Sequence, residues 1–401
     1  MNKSTLIYCQ FILGAVIGAT IACSPTKFSE APSDLCVDSQ QSCVTQNGFT
    51  SITQNFKVGA GKVDILFVDD NSASMSAIQT KLAAKFAGFV EALDRKEIDY
   101  QIGITTTDIS LAQSEGLVTF PNGQKVLKKS DSNRVSLFNG TIVRTETGNC
   151  ERFIKFVHSN PTAYPGFDAS DYYNQNYSKY CPSGDERGIY AAHEVLSKNV
   201  ASLVRSDANL NVIVISNEDV RSGLYLNNNA FALDEKDKAS NLIQMINTKY
   251  PTKYWEFNSI ITKDATCAIQ QQQSFVSSNG QPIRSSNGNY IINSNIGQQY
   301  AAVSSSASQD VDGNVAPRGQ NLNICSNDYT AYFANIAAKI SDSARLLTLK
   351  CKPTETPIVT DANGVQSSIP YSWDGNSQII FKRGSEGVQI KVSYKCYTGV
   401  K

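Results

Sequence analysis

A strand that is apolar at nearly every position has to be covered on both faces, and one segment of this chain has that character. Val63, Ile65, Leu66, Phe67 and Val68 form a near-continuous apolar run, the pattern of a parallel strand lying between two layers of helix. The residues that follow switch period. Ile78, Leu82, Phe86, Phe89, Val90 and Leu93 recur at helical spacing, which predicts an amphipathic helix. A second strand is expected over 100–105, then a helix after Glu186 with Ile189, Ala192, Val195 and Leu196 on one face, and a strand over 212–215. A helix over 239–246, a strand near 255–261 and a closing helix burying Phe333, Ile336, Ala337, Ile340 and Ala344 continue the series. Residues 110–150 read as a polar stretch with hairpin-like pieces. Parallel strands need crossover connections, so the alternation predicts an α/β fold, a doubly wound, mostly parallel sheet flanked by helices. Ligands of such sheets bind beyond the carboxyl ends of the strands.

Past Leu347 the pattern becomes all-β. Val388, Ile390, Val392 and Tyr394 alternate with Gln389, Lys391, Ser393 and Lys395, and Asn363-Gly364 is a tight-turn signal. The α/β domain is therefore expected over 62–347, with inserted loops, and a small antiparallel β module over 348–401. At the other end, Lys3 precedes an uncharged apolar run from Leu6 to Ala22, so 1–22 reads as a secretion signal peptide, a membrane anchor being the alternative. The run closes in Thr20-Ile21-Ala22-Cys23, which looks like a bacterial lipobox with Cys23 as the lipidation site, Thr20 departing from the usual Leu. Ser24 after it favours the outer membrane of the cell envelope, by analogy with enterobacterial sorting. Residues 23–61 are rich in Ser, Thr, Gln and Asp and read as a lipidated tether with one short disulfide loop.

Ten cysteines support export. Setting aside Cys9 and Cys23 leaves Cys36, Cys43, Cys150, Cys181, Cys267, Cys325, Cys351 and Cys396, an even set that reads as disulfides between neighbours in sequence order. Zinc is the alternative, but there is no CxxC pair and only His158 and His193 could assist. Lys+Arg 36 against Asp+Glu 36 leaves no basic excess to suggest nucleic acid as a partner.

The first strand ends in Asp69-Asp70-Asn71-Ser72-Ala73-Ser74-Met75. Asp70, Ser72 and Ser74 place a carboxylate and two hydroxyls in one turn, hard oxygens suited to Mg²⁺ or Mn²⁺, with Ca²⁺ the alternative. The same residues could simply cap the helix. Set between an apolar strand and an amphipathic helix, this DxSxS resembles the metal-ion-dependent adhesion site of von Willebrand factor type A domains. The resemblance implies a Thr in the loop before a central helix and an Asp after the next strand. Here Ser183-Gly184-Asp185-Glu186-Arg187-Gly188 puts Asp185 at the first place, and Val214-Ile215-Ser216-Asn217-Glu218-Asp219 puts Asn217 at the second. Asp185, Glu218 or Asp219 could restore the missing charge, so Asp70, Ser72, Ser74, Asp185, Asn217 and Asp219 form the expected metal set. A solvated helix start and a turn are the plainer readings of the last two segments. The resemblance extends to type A lipoproteins of predatory and gliding bacteria through Ile324-Cys325, Trp373, Ile379-Ile380-Phe381 and Val392-Ser393-Tyr394. It implies a binding protein and not an enzyme, with a metal that takes a carboxylate from a protein or cell-surface partner.

Residues 65–71 also resemble the first strand of response-regulator receiver domains, but the strand over 100–105 runs into Thr106-Thr107-Asp108 without the apolar run that should end in a phosphoacceptor Asp. Between Tyr164 and Cys181 lie Tyr172, Tyr173, Tyr177 and Tyr180 amid Asn, Asp and Ser. Tyr172, Tyr173 and Tyr177 are expected to contact a partner from a recognition loop, or else to pack that loop onto the domain. His193-Glu194 lacks the second His of a zincin, and Asp310-Val311-Asp312-Gly313 lacks the terminal Glu of an EF-hand and reads as a turn.

Overall fold

In a computed structural model, residues 35–36, 41–159, 168–221, 233–285 and 287–398 are described. The expected signal peptide over 1–22, the expected lipidation site Cys23 and Tyr164 lie outside the described residues. Strands β1 (Gln41–Gln46) and β2 (Phe49–Lys57) come first, followed by β3 (Lys62–Asp69), helix α1 (Ser76–Arg95) and β4 (Asp99–Thr106). Next come α2 (Ile109–Ser114), the two-residue β5 (Leu127–Lys128), α3 (Arg134–Ile142), α4 (Thr145–Ser159), α5 (Ala169–Tyr180) and α6 (Gly188–Lys198). Then β6 (Asn209–Ser216), α7 (Ala239–Lys249), β7 (Trp255–Ile261), α8 (Ala265–Ser274) and α9 (Gln298–Ser304) lead to the hairpin of β8 (Ala307–Gln309) and β9 (Val315–Pro317). The strand β10 (Asn321–Asn323) and α10 (Thr330–Ser343) precede the C-terminal strands.

The main sheet has the order β10-β7-β6-β3-β4-β5, parallel except for β5. Alternation within β3 explains the two helix layers. Val63, Ile65 and Phe67 face a core with Ile78, Leu82, Phe86, Phe89 and Leu93 of α1 and Phe333, Ile336 and Ile340 of α10. Leu66 and Val68 face the opposite core, built with Ile189, Val195 and Leu196 of α6 and Leu242 and Ile246 of α7. Removing one such buried ring, as in Phe86→Ala, would cost about 3–5 kcal/mol. The sheet is thus mostly parallel and flanked by helices, and register puts Asp69, Thr106, Ile215 and Ile261 at one edge. From β3 the chain winds to β4 on one side, and from β6 to β7 on the other. The crevice between the carboxyl ends of β3 and β6 is therefore the topological switch point, where such sheets bind ligands.

Two local expectations are corrected. About half of the polar stretch 110–150 is helical, and its strand content is reduced to β5. The segment expected as a Tyr-rich loop contains α5, whose N-cap Asp168 accepts bonds from Ser170 N at 2.8 Å and Asp171 N at 3.0 Å. That cap outweighs the absence of an apolar period.

A third correction concerns the tether, which does not reach residue 61. From Gln41 the chain is strand, and β2 pairs along its whole length with β15 (Gln389–Tyr397), giving the antiparallel order β1-β2-β15-β12, with β12 at Ile358–Asp361. A three-stranded sheet of β11 (Leu346–Thr348), β14 (Gln378–Phe381) and β13 (Tyr371–Trp373) shares its core, which gathers Ile52, Val58, Leu349, Ile379, Phe381, Val392 and Tyr394. Alternation in 389–397 places Ile390, Val392, Tyr394 and Cys396 inward. Four disulfides join Cys36–Cys43, Cys150–Cys181, Cys267–Cys325 and Cys351–Cys396. Among the described residues no helix is long and apolar enough to cross a membrane.

Candidate metal-binding site at the sheet edge

At the switch point β3 holds on to β6 one residue past its end, through Asp70 N donating to Ile215 O at 3.0 Å. The chain then turns tightly. Asp70 Oδ1 accepts from Ser72 N at 2.8 Å, and Asp70 Oδ2 accepts from Ser216 Oγ at 2.8 Å, so both oxygens of a fully buried carboxylate face the crevice between the two strands. Ser72 Oγ lies 3.0 Å from Ser74 Oγ, and Ser74 Oγ donates to Asn217 Oδ1 at 3.2 Å. Neither the short 3₁₀ turn Ala73–Met75 nor α1 receives a side-chain cap bond at its start. The two hydroxyls are directed at each other and at Asn217, which removes capping as the reason for the motif.

Asn217 is held in place through its backbone. Its carbonyl accepts from Ser294 Oγ at 2.7 Å, Thr262 Oγ1 at 3.0 Å and Asn295 N at 3.2 Å. Its side chain is fully buried, and Nδ2 has no hydrogen-bond partner. Asn71 Oδ1, on the turn itself, is also buried without one. A buried polar atom left unpaired costs about 1–3 kcal/mol, so two of them beside one crevice mark a place where a ligand, ion or water belongs.

The two acids before the central helix part company. Asp185 faces outward and pairs with Arg221 at 3.1 Å, its carboxyl raised by burial against the pull of Arg221. Glu186 turns inward, is 2% exposed, accepts from Thr107 Oγ1 and comes within hydrogen-bond reach of Asp70. Burial first, and then the charges of Asp70 and Glu218, hold the Glu186 carboxyl well above the usual carboxylate range; burial raises Asp70 as well. Gly188, opening α6, allows this approach, because a Cβ there would lie 2.7 Å from Tyr300 Oη and 3.2 Å from Val68 Cγ1. Asp219 points elsewhere, accepting from Gln299 N at 2.9 Å in the first turn of α9, and burial pushes its carboxyl up to about 6.

The structure therefore brings together Asp70, Ser72, Ser74 and Asn217 of the expected set and adds Glu186, Thr107 and Ser216, while Asp185 and Asp219 have other partners. Ser216 and Thr107 end or follow strands whose carboxyl edge was expected to carry chemistry, which is the one signal that could have found them. Six oxygens at about 2.0–2.1 Å from an ion stand roughly 3 Å from their neighbours, and the 3.0 and 3.2 Å separations through Ser74 fit that spacing. Among the described residues no three His, Cys, Asp or Glu side chains form a metal cage, so the donors here are largely neutral oxygens. The receiver-like alternative has no phosphoacceptor, since Asp108 after β4 caps α2 through Ser110 N at 3.0 Å.

The tyrosines pack on the protein itself. Tyr173 stacks on Phe153 of α4 with ring centroids 5.8 Å apart, Tyr172 lies 6.2 Å from the same ring, and Tyr177 lies 5.3 Å from Tyr173. All three are half-buried around the Cys150–Cys181 bridge. Burial raises the Tyr177 hydroxyl, and the charges of Tyr173, Glu186, Glu218 and Asp70 add to that. A depression of about 320 Å³ is lined by Asn71, Asp108, Arg144, Glu146 and Lys179.

No known protein family matches the sequence, and no curated protein does. Among solved structures the chain is similar to the pilus adhesin SpaC of Lactobacillus rhamnosus GG, at 10% identity and a TM-score of 0.34, covering 89% of this chain and 42% of that one. It also matches the human COPII-coat protein Sec24c, at 9% identity and a TM-score of 0.26, covering 86% and 46%. The type V pili tip protein Mfa5 of Porphyromonas gingivalis matches at 11% identity and a TM-score of 0.21, covering 90% and 67%. The chain spans less than half the length of the SpaC chain. At these scores the likenesses decide neither family nor function.

Proposed function

We propose that the chain is an exported lipoprotein of the bacterial cell envelope, anchored at the outer membrane through Cys23, that binds a protein or cell-surface partner through a von Willebrand factor A-like domain. The observation that carries this reading is the convergence of Asp70, Ser72, Ser74 and Asn217 at the switch point, with hydroxyls that cap no helix. Mg²⁺ or Mn²⁺ held by these residues, or Ca²⁺ with longer bonds, would offer an open position to a partner carboxylate. The 3.0 and 3.2 Å separations through Ser74 are compatible with such an ion as they are with hydrogen bonds, and the buried Asn71 Oδ1 is an oxygen left without a donor beside the turn. The balanced charge of the chain leaves nucleic acid without an electrostatic footing.

Asp70→Ala tests it. The variant should lose divalent-ion binding while its circular dichroism and melting curve in chelator stay close to those of the parent, and partner capture from envelope fractions should fail alike in chelator and in the variant. Equal, tight capture with and without ion would support a second reading, a metal-free scaffold with a structural or assembly role. The Asp185–Arg221 ion pair and Asn217 in place of an acid favour that reading. Cys23→Ala should release the protein from the membrane fraction, and retention there would point to an uncleaved anchor.

A further inference from the structure

We propose that the depression between the β3–α1 turn and the start of α4 is an anion pocket, in which Arg144, with Lys179 beside it, grips an acidic side chain of a peptide partner. It deepens the partner reading above by adding a second anchor next to the ion site, one that works without the ion.

The walls of this depression of about 320 Å³ come from Asn71 on the turn after β3, from 106–111 after β4, from 144–149 at the start of α4 and from 179–182 at the end of α5. Buried bonds fix these pieces to one another. Gln79, 1% exposed, donates through Nε2 to Asp69 Oδ2 and to Asp70 O at 3.0 Å each, and its Oε1 accepts from Arg144 N at 3.1 Å. Thr147 Oγ1 donates to Asn71 O at 2.8 Å, and the Cys150–Cys181 bridge ties α4 to the segment after α5. The place of Arg144 beside the β3–α1 turn is therefore set by the fold. The groups left unspent decide the ligand. Asp108 gives both oxygens to backbone donors, Ser110 N at 3.0 Å and Ser183 N at 3.1 Å, and Glu146 is taken by Arg144 Nε. Among the described residues the two terminal nitrogens of Arg144 have no partner, and Lys179 Nζ meets only the ring of Tyr180, 5.0 Å from its centroid. The acids of the lining are thus occupied while its cations keep donors to spare. A planar guanidinium with two free amino groups matches a carboxylate in a forked pair. An acidic residue within a peptide also carries a backbone N–H, and a donor is what Asn71 Oδ1, buried and unpaired on this wall, lacks. Lys+Arg 36 against Asp+Glu 36 gives the chain no general field to draw in acidic peptides, so such binding has to come from a local site.

The experiment measures fluorescence anisotropy of labelled tetraglutamate, with labelled tetraglutamine as its control, on the purified full chain in chelator. Tetraglutamate should bind more tightly than tetraglutamine, and its binding should weaken as salt is raised. R144Q should weaken tetraglutamate binding about tenfold. E146Q should tighten it, because this change frees Arg144 Nε and removes a carboxylate that repels the ligand. R144Q/E146Q, which keeps the net charge of the lining, should bind as weakly as R144Q. Equal binding of the two peptides, or parent-like binding by R144Q/E146Q, overturns the anion pocket. If the variants lacking Arg144 do not fold, E146Q decides: tighter binding supports the pocket, and unchanged or weaker binding overturns it. Calorimetry of the parent with Mn²⁺ alone keeps the two readings apart. Tetraglutamate binding without Mn²⁺ binding overturns the ion site and leaves the pocket standing, whereas Mn²⁺ binding with no preference for tetraglutamate does the reverse.

Discussion

Asp219 shows how one carboxylate can be matched to a site by order along the chain and still serve a neighbouring helix. It accepts from Gln299 N, and burial pushes its carboxyl up to about 6 from an ordinary value of 3.8. The folded state therefore holds this proton more tightly than the unfolded chain does. Stability from this group is complete below about pH 4, falls as pH rises, and is lost above about 6. Asp219→Asn should remove that slope, so parent and variant should diverge by at most about 3 kcal/mol between these limits. Urea midpoints measured at pH 4, 5, 6 and 7 would check it, and parallel curves would show that Asp219 titrates normally. That Asp70, Ser72 and Ser74 lie together was legible because all three sit in one turn. The choice between Asp185 and Glu186 was not, because adjacent residues of an extended loop point opposite ways, and only the position of Arg221 shows which points outward.

At the scale of elements, β3 and α1 were readable because burial on both faces of a strand and on one stripe of a helix leaves a clean period. The helix α5 was not. It has no buried residue and owes its start to Asp168 and its docking to aromatic contacts with Phe153. Those contacts give the tyrosines a packing role. Tyr173→Ala should lower stability by about 1–3 kcal/mol through loss of the stack and of buried ring area, with Mn²⁺ affinity unchanged. The measurement is a urea melt beside calorimetry. An unchanged midpoint together with weaker partner capture would instead give Tyr173 the recognition role expected of a loop.

The architecture of the whole molecule depends on pairings that no local pattern announces. Residues 389–397 read as a strand from their alternation, yet their partner lies near the other end of the chain, where a Ser-, Thr- and Gln-rich segment resembles a tether. Polar residues are admissible in β2 because its outward positions face solvent, while Ile52 and Gln54 turn inward, Gln54 bonding Tyr394 Oη at 2.7 Å. With β1 on one side and β15 on the other, β2 has no second route to satisfy its backbone, since an unpaired strand interior exposes a row of donors and acceptors. Removing residues 389–401 should therefore release β1 and β2 together. In hydrogen exchange the amides of 49–57 should lose protection, whereas those of β3 and β6, buried between two helix layers, should keep theirs. The same truncation leaves the ion site at the opposite end of β3 intact, so Mn²⁺ binding should survive it. Loss of protection in β3 as well would mean that the β module and the α/β sheet fold as one cooperative unit, joined through the close approach of Gly61 to Ala344 and the bond from Phe381 N to Arg345 O.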